Sequence, residues 1–338
     1  MSARPDTQRE RERAPVTVYV IGYKGDRWLP DCVGTLRTAS ATRLDLVLID
    51  NVENTALDQL PLELFETRVV STPRPMGFAD AHNFGVVAAP PRGEYVVLLN
   101  QDTRSQPGWI DAAVRCMEAR PELGVLSPGL RTYDDRGWDP NFLTCVLGPG
   151  AAEHDLDTQR ALQVTDAVTG AAMVVRRSML AELGLFDPVF GSYYEDYDFC
   201  VRARAAGWEV GYLPRARVQH FSGSATTTRT DERRRTQQIL RNRVIASVRA
   251  SDRRGWTLLA HFARDLPRNL LRGLARTPSS QPVACTLRAH GQLLAILPRL
   301  ASARRDRARW RAHLDAIGWG HALSQTPAFE AAARRSAT

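Results

Sequence analysis

Short apolar runs alternate with helix-like segments between residues 16 and 119. The runs are rich in β-branched residues, as is typical of strands buried on both faces of a parallel sheet. Strands are predicted at 16–21, 44–49, 68–71 and 94–99, and helices at 29–36, 78–88 and 110–119. Strands that alternate with helices predict an α/β fold with a parallel sheet.

Two acidic residues directly follow predicted strands. Asp50 stands at the end of the second strand, and Asp102 comes just after the fourth. Ligands of α/β sheets bind at the carboxyl ends of the strands. Both aspartates are therefore candidate site residues before any family is considered.

The next part of the chain is less regular. Clusters of Gly, Pro and Asp over residues 130–165 predict a loop-rich connection. Later strands are predicted at 167–176, 210–213 and 218–220, and a short helix at 178–183.

An acidic segment precedes the last of these strands. Apolar residues at helix-compatible spacing predict a helix that Gly207 ends. Glu195 and Asp196 lie near its N-terminus, where the helix dipole favours carboxylates.

Charge is distributed unevenly along the 338 residues. Residues 1–220 hold 23 Arg or Lys and 30 Asp or Glu (net −7), whereas residues 221–338 hold 22 and 7 (net +15). A basic tail on an acidic body indicates a polyanionic partner for the tail, such as a membrane surface, a phosphorylated lipid or nucleic acid.

The tail itself is predicted to be helical, with breaks at Pro267, Pro282 and Pro298. Its apolar positions recur every three or four residues and include Leu259, Phe262, Leu266 and Leu270. A parallel basic stripe comprises Arg264, Arg268 and Arg272. Such a surface can lie on anionic lipid. The alternative is that these helices pack against the rest of the protein and leave a solvated basic face.

Several expectations concern the compartment. Five scattered cysteines without a C-x-x-C pair indicate neither a disulfide framework nor a zinc site. No apolar run approaches the roughly 18 residues of a membrane span, and residues 1–15 lack the apolar core of a signal peptide. We therefore expect a cytoplasmic protein, peripheral at the inner face of the membrane. The predicted organisation is a disordered tail (1–15), a catalytic domain (16–228) and a helical basic extension (229–338).

Six short motifs occur along the chain between residues 16 and 204. They are a first strand ending near Tyr23, Asp50-Asn51, MGFADAHNFG at 76–85, LNQDT at 99–103, TGAA at 169–172 and YEDYDFCVRAR at 194–204. The series resembles glycosyltransferase family 2, in its rhamnosyltransferase-like branch, over roughly residues 16–245. The resemblance implies a glycosyltransferase A fold, with a Rossmann-like mixed sheet flanked by helices, here followed by the basic helical extension.

The resemblance also implies a reaction. A metal-dependent, inverting enzyme of this kind moves a sugar from a nucleotide-diphosphate donor to a hydroxyl. The diphosphate leaves poorly unless a hard divalent cation neutralises its charge. Asn100–Asp102 resembles the family's D-x-D variant, so Asp102 is implied as a donor and metal ligand, with His220 as the second ligand of Mg²⁺ or Mn²⁺. The alternatives are an Asx turn or helix cap for Asp102 and a hydrogen-bonded core histidine for His220.

Asp196 resembles the family's general base, which accepts the proton of the attacking hydroxyl. Asp198 is the first rival for this role and Glu195 the second. Alternatively, these acids only cap a helix. Inversion requires no covalent nucleophile.

The donor and the sugar have implied contacts as well. Asp50 matches the residue that accepts the pyrimidine N3–H, with Tyr23 beside the base; the alternative for Asp50 is a turn with Asn51. Asn83 belongs either to the donor pocket or to local backbone support. Gly170 and Glu195 are assigned to the pocket for the acceptor and the sugar; a plain buried strand is the alternative for the segment around Gly170.

The sequence departs from the family at three positions. Lys24, Pro75 and Gln101 stand where the family often has Asn, Asn and Pro. The implied partners are a dTDP- or UDP-sugar, with dTDP-rhamnose favoured by the branch, and a hydroxyl acceptor on a lipid-linked glycan in polysaccharide or glycolipid synthesis.

Two other functions stay open. A nucleotidyltransferase could share the Rossmann-like half, and a nucleic-acid-binding protein could use the basic tail. The Glu-Asp motif and His220 disfavour the first; the acidic body and the absence of a binding motif disfavour the second, so no specific nucleic acid is expected.

Overall fold

The structure is a computed structural model that describes residues 16–52, 54–147, 154–222, 228–276 and 281–324. The predicted N-terminal tail, residues 1–15, lies outside the described residues, and so does the side chain of Arg272 in the predicted basic stripe.

Within the described residues, nine strands form one sheet. They are β1 (Thr17–Gly22), β2 (Asp45–Asp50), β3 (Glu66–Ser71), β4 (Tyr95–Asn100), β5 (Thr103–Ser105), β6 (Leu123–Thr132), β7 (Gln163–Val164), β8 (Ala172–Arg176) and β9 (Glu209–His220). Their order is β3-β2-β1-β4-β8-β6-β9-β5, with β7 paired to β9. The strands from β3 to β4 are parallel, as predicted, whereas β8 runs antiparallel to both of its neighbours. The sheet is therefore mixed.

Eleven helices are used in the description that follows. They are α1 (Leu29–Leu36), α2 (Phe78–Ala88), α3 (Trp109–Glu118), α4 (Arg177–Leu183), α5 (Glu195–Ala205), α6 (Arg229–Arg249), α7 (Arg254–Ala260), α8 (Leu266–Arg276), α9 (Gln281–Leu300), α10 (Ala303–Ala316) and α11 (Trp319–Ser324). The bounds of α1 and α2 equal the predicted ones, because both helices carry an apolar face that packs on the parallel strands.

The second half of the sheet differs from the prediction. β6 was not predicted, and its pairing with β9 shifts register near Pro128 and Gly129, which interrupt the apolar pattern. β9 is one continuous strand rather than two, because Pro214 and the exposed Arg215 break its apolar run without ending the pairing. β8 begins only at Ala172, so the segment around Gly170 approaches the sheet as a loop rather than as a plain strand.

The extension packs against the sheet domain. The indole N–H groups of Trp310 and Trp319 donate to the carbonyls of Leu183 and Leu180, each at 2.9 Å. Trp319 is 1% exposed and belongs to the same apolar core as the sheet. The packing alternative therefore describes α10 and α11; it leaves open the stripe on α7 and α8.

Two details of the predicted tail are wrong. Pro267 and Pro298 do not break the chain at their own positions, since helical backbone is continuous over 254–276 and α9 continues to Leu300. The predicted apolar stripe is divided, because Phe262 packs into the core of the extension whereas Leu259 is 57% exposed.

Candidate active site

Three of the predicted donor residues meet at one edge of the sheet. In the paired register, Gly22 faces Asp50 and Ile21 faces Asn100, so the carboxyl ends of β1, β2 and β4 are level. Tyr23, Asp50 and Asp102 lie at or just beyond these ends. We call this set the donor edge.

The Gln101 side chain joins two strands of the donor edge. Its Oε1 accepts the backbone N–H of Tyr23, and its Nε2 donates to the Tyr23 carbonyl, both at 2.8 Å. Gln101 is 6% exposed, so each of these polar groups is satisfied internally. Gln101, which departs from the family at this position, thus fixes Tyr23 beside the end of β4, where Asp102 follows.

Asp50 is half-buried and supported by one neighbour. The Asn54 amide donates to Asp50 Oδ1 at 2.5 Å and to the Gly22 carbonyl at 2.9 Å. The Asn51 side chain is not bonded to Asp50, so it gives no support to the alternative of a turn between the two residues. Its amide instead bonds both backbone groups of Met76, at 2.8 and 2.9 Å, and so fixes the start of the MGFADAHNFG motif.

Asp102 and His220 are brought together by strand pairing. β5 and β9 are antiparallel, with Thr103 opposite His220. His220 Nε2 lies 3.5 Å from Asp102 Oδ1, and both residues are buried. The two side chains predicted as metal ligands are therefore adjacent.

A third side chain orients the histidine and was missed by the sequence analysis. Asp139 Oδ2 lies 3.1 Å from His220 Nδ1 and accepts the Ser222 hydroxyl at 2.5 Å. Its Oδ1 accepts two backbone N–H groups of the short helical turn that follows. Asp139 lies in the stretch interpreted as a loop-rich connection, where no local pattern marks its partner on β9.

The two carboxylates beside His220 govern its charge, although the described residues contain no group of three or more His, Cys, Asp or Glu side chains placed to hold a metal ion. Burial opposes a charged imidazole, but the carboxylates of Asp102 and Asp139 outweigh it and raise the pKa of His220 to about 9. Two buried carboxylates thus favour positive charge at this point. A histidine that contacts a carboxylate through its second nitrogen is also a common arrangement at metal sites.

The predicted base stands at the start of α5. Asp196 is half-buried; its Oδ2 accepts the backbone N–H of Gly170 at 2.7 Å, and its Oδ1 accepts that of Tyr197 at 2.8 Å. Burial raises the pKa of Asp196 above its ordinary value, although both N–H bonds oppose the shift. The carboxylate is fixed in position and is more basic than an exposed aspartate.

Gly170 places this carboxylate near the donor edge. The N–H of Asn100 donates to the Ala171 carbonyl at 2.9 Å, which sets the loop containing Gly170 against the end of β4. A side-chain carbon on Gly170 would come within 3.3 Å of Asp196 Cβ, so glycine allows this approach. Two residues predicted from separate motifs are in direct contact.

The two rival acids have other environments. Asp198 is 2% exposed and accepts guanidinium N–H groups from Arg202 at 2.9 Å and Arg249 at 2.8 Å. Burial opposes its charge, but Arg249 and Arg202 outweigh burial and lower the pKa of Asp198. Because both oxygens are occupied by cations, Asp198 is a poor proton acceptor.

Glu195 is buried, and among the described residues its Oε2 has no hydrogen-bond partner. Burial, followed by the charges of Asp196 and Asp198, raises the pKa of Glu195 well above its ordinary value. The raised pKa favours the neutral form of Glu195, so Asp196, whose carboxylate accepts two backbone N–H groups, is the better candidate for the ionised member of the Glu-Asp pair. The role of Glu195 in a sugar pocket stays a prediction.

Asn83 supports backbone. Its Nδ2 donates to the Phe186 carbonyl at 2.7 Å and its Oδ1 accepts the Phe186 N–H at 3.2 Å. Asn83 is 3% exposed, so this pairing uses the amide within the core. Of the two alternatives for Asn83, the geometry favours backbone support over the donor pocket.

The segment before α5, residues 187–194, is called the base turn below. It is contacted by residues at the start of the MGFADAHNFG motif. The N–H of Ala79 donates to the Gly191 carbonyl at 2.8 Å, and that of Phe78 donates to Ser192 Oγ at 3.1 Å. A side chain on Gly77 would collide with the Gly191 carbonyl, which requires glycine there. The MGFADAHNFG motif thus supports the base turn, a contact between segments more than 100 residues apart that no local pattern marks.

Comparison with known proteins identifies the family. A model described as "Glycosyltransferase like family 2" matches residues 11–238. The N-acetylglucosaminyl-diphospho-decaprenol L-rhamnosyltransferase of Mycobacterium tuberculosis is 26% identical over 235 residues, which cover 62% of this chain and 76% of the relative.

Solved structures share the fold. Staphylococcus aureus TarS 1-349 in complex with UDP is 14% identical, with a TM-score of 0.52 over 95% of this chain and 92% of that chain. GalNAc-T7 with UDP, GalNAc and Mn²⁺ is 17% identical, with a TM-score of 0.51 over 70% of this chain. The chain spans about half of GalNAc-T7, 48%. At such identities the likeness concerns the fold, a mixed curled sheet flanked by helices, and it confirms the predicted fold class.

Proposed function

The chain belongs to glycosyltransferase family 2, and we propose that it transfers a sugar from a nucleotide-diphosphate donor to an acceptor hydroxyl with inversion at the anomeric carbon. The observation that carries this proposal is the position of Asp196. Its carboxylate is bonded to Gly170 beside the end of β4, whereas the rival Asp198 is neutralised by two arginines. No comparable observation favours a nucleotidyltransferase or a nucleic-acid-binding protein.

In the proposed reaction Asp196 accepts the proton of the acceptor hydroxyl. The hydroxyl oxygen forms a bond to the anomeric carbon as the bond from that carbon to the diphosphate oxygen breaks. The electron pair leaves with the nucleoside diphosphate. The raised pKa of Asp196 supports this role, because a stronger base takes the proton more readily.

We propose Asp102 and His220 as the protein ligands of Mg²⁺ or Mn²⁺. Their 3.5 Å separation suits one ion, since metal–ligand distances of about 2.1 Å allow two ligands to lie at most about 4.2 Å apart. When bound, the ion offsets the charge that develops on the leaving diphosphate. Asp139 keeps the imidazole oriented through Nδ1, and the imidazole must release its proton before it can act as a ligand.

The donor is proposed to carry uracil or thymine. Asp50 has a carboxylate at the donor edge, and an N3–H of a pyrimidine can donate to it. Tyr23 lies at the next strand end, fixed by Gln101, and can contact the base. The structure of TarS holds UDP, and the mycobacterial relative is named as an L-rhamnosyltransferase, which supports UDP- or dTDP-sugars with dTDP-rhamnose first.

The acceptor is proposed to be a lipid-linked glycan reached from the inner face of a membrane. The mycobacterial relative is named for a diphospho-decaprenol substrate. No helix among the described residues has the length and apolar character needed to cross a bilayer. The extension nevertheless exposes large apolar side chains together with arginines.

The exposed apolar side chains are Trp256 (70%), Leu259 (57%), Leu271 (66%), Leu287 (55%) and Leu294 (58%). Exposed Arg264 and Arg268 lie between Leu259 and Leu271 along the chain. Aromatic and aliphatic side chains interleaved with arginines favour an anionic lipid surface. Flotation with liposomes that increases with anionic lipid content is the expected result; flotation independent of it would contradict this part of the proposal.

The reaction is tested with a panel of nucleotide sugars and metals. The protein is incubated with dTDP-rhamnose, UDP-GlcNAc and GDP-mannose in Mg²⁺ or Mn²⁺, and nucleotide release is measured. We expect release from a dTDP- or UDP-sugar that excess chelator abolishes, with inversion visible by NMR of the product sugar. Turnover that persists in chelator would contradict the metal, and retention of configuration would contradict the mechanism.

A further inference from the structure

The extension reaches the base turn through one buried amide. Asn242 on α6 is 0% exposed. Its Nδ2 lies 2.8 Å from the Phe190 carbonyl, 2.8 Å from that of Ser192 and 2.7 Å from that of Tyr193. Three carbonyls of one turn thus converge on a single donor group, although an amide has only two N–H bonds to share.

Arg241 sets the orientation of this amide. Its Nε donates to Asn242 Oδ1 at 2.9 Å, and its Nη2 donates to the carbonyls of Val189 and Phe190. With Oδ1 facing the guanidinium, Nδ2 must face the turn. The residue pair therefore presents donors, and no acceptor, to the carbonyls of the base turn.

The base turn has a backbone conformation that is energetically unfavourable for non-glycine residues. Gly191, Tyr193 and Tyr194 have φ angles of 67°, 72° and 72°. Two successive non-glycine residues in the left-handed region are uncommon, and such strain persists only where the surroundings impose it. Asp196 follows this turn by two residues, so the direction of its carboxylate depends on the turn keeping this conformation.

The same face of α6 also contacts both flanks of the turn. Arg249 lies two helical turns beyond Asn242 and donates to Asp187 at 2.6 Å and to Asp198 at 2.8 Å. Asp187 begins the base turn, and Asp198 belongs to the first turn of α5. The turn is also held by α2, through the backbone N–H groups of Ala79 and Phe78.

We propose that Asn242 is a positioning residue for Asp196, so that the helical extension completes the active site of the catalytic domain. The inference rests on the proposed role of Asp196 as the base. Asn242 contacts neither donor nor acceptor in this account. It acts by holding the left-handed turn that presents the carboxylate, and it explains why an asparagine beyond the catalytic motifs is set at this point of the chain.

The test compares variants by nucleotide release from the donor that the panel identifies. Asn242→Ala removes the donor group, and Asn242→Asp replaces it by an oxygen that repels the carbonyls. We expect kcat to fall roughly 10- to 100-fold, as for a misplaced catalytic group. KM for the nucleotide sugar and the Kd of the free nucleotide, from calorimetry, should change by less than about 3-fold, because the donor edge does not contact α6 through this amide.

Leu293→Ala is the matched control. Leu293 is 0% exposed, on α9 rather than on α6, in the apolar cluster that the extension shares with Phe190 of the base turn, so it tests loss of packing there without loss of the amide. It should lower the melting temperature at least as much as Asn242→Ala and leave kcat nearly unchanged at low temperature. Equal losses of kcat in both variants would mean that Asn242 only stabilises the fold, which would overturn the proposal.

A double variant separates this inference from the proposed function. In an Asp196→Asn background, Asn242→Ala should cause no further loss of kcat, because the group that it positions is already gone. A further full loss would overturn the inference. If Asp196→Asn alone retains near-native turnover, the assignment of Asp196 as the base is wrong. If Asp196→Asn is impaired while Asn242→Ala is not, the base assignment stands and only the positioning role of Asn242 is wrong.

Arg241→Met serves if Asn242→Ala does not fold. It leaves the amide in place and removes the group that orients it, so kcat should fall by a smaller factor, about 3- to 10-fold, at unchanged KM. A folded Arg241→Met with the kcat of the unaltered protein would contradict the proposal.

Discussion

At the donor edge, adjacent strands bring the candidate residues together, whereas at the base turn two helices from distant parts of the chain hold one loop. Gly22 opposite Asp50 and Ile21 opposite Asn100 follow from the pairing of parallel strands. The base turn instead depends on individual hydrogen bonds from α2 and α6, such as those of Ala79 and Asn242. A site can thus combine one half made by regular pairing with another made by specific long-range contacts.

The largest effect is expected at the donor edge. Asp102→Ala removes one of the two proposed metal ligands, and turnover should fall roughly 10³-fold or more, since a metal contributes several kcal/mol to the stabilisation of developing charge. Nucleotide affinity in Mn²⁺ should weaken as well, measured by calorimetry with and without metal. An affinity that still depends on Mn²⁺ as in the unaltered protein would exclude Asp102 as a ligand.

The donor edge could be predicted from the sequence better than the base turn, because regular strand pairing leaves a local pattern and long-range contacts do not. Strand ends and acidic residues are visible in the sequence, so Asp50, Asp102 and Asp196 were found as candidates. Asp139 could not be connected to His220, because the contact depends on β6 and β9, whose apolar patterns are broken by Pro128 and Pro214.

The base turn could not be predicted from the sequence, because it is held by contacts between residues far apart in the chain. Asn83 bonds to Phe186, and Asn242 bonds to Phe190, over separations of 103 and 52 residues. No periodicity links such pairs, and an asparagine that supports a carbonyl looks in the sequence like one that binds a ligand.

The next effect concerns stability at the base turn. Arg249 is 8% exposed in its side chain and pairs with Asp187, Asp198 and Asp306, so Arg249→Met leaves buried carboxylates short of a partner. The free energy of unfolding, from urea titration, should fall by about 3–5 kcal/mol. Arg264→Met is the control: the Arg264 side chain that pairs with Asp265 is 72% exposed, so the free energy of unfolding should stay close to that of the unaltered protein.

The difference in unfolding free energy between the unaltered protein and Arg249→Met should depend on pH. Burial opposes the charge of Asp198 and Asp306, but Arg249, with Arg202 and Arg299, outweighs it and lowers the pKa of both carboxyls below the ordinary value of 3.8. Their stabilisation is therefore complete above pH 3.8 and is lost as the pH falls through the lowered values. The gap between the two proteins should narrow below about pH 4, and a gap that widens there would contradict the pairing.

A smaller effect is expected for the nucleobase. Asp50→Asn keeps the shape but replaces one acceptor oxygen by a donor, so the affinity for UDP or dTDP should fall roughly 10-fold, while GDP binding stays weak in both proteins. Competition calorimetry measures this. Tighter binding of GDP than of UDP and dTDP by the unaltered protein would contradict the Asp50 assignment.

The central claim is that Asp196, and not Asp198, is the base, and one comparison tests it most directly. Asp196→Asn and Asp198→Asn are assayed together for kcat and nucleotide Kd, at a temperature where both are folded. Asp196→Asn should keep its donor affinity and lose roughly 10²–10⁴ in kcat, the usual contribution of a positioned general base. Asp198→Asn should lose stability and much less kcat, because its carboxylate faces Arg202 and Arg249. Near-native turnover of Asp196→Asn, with the loss found in Asp198→Asn instead, would contradict the account.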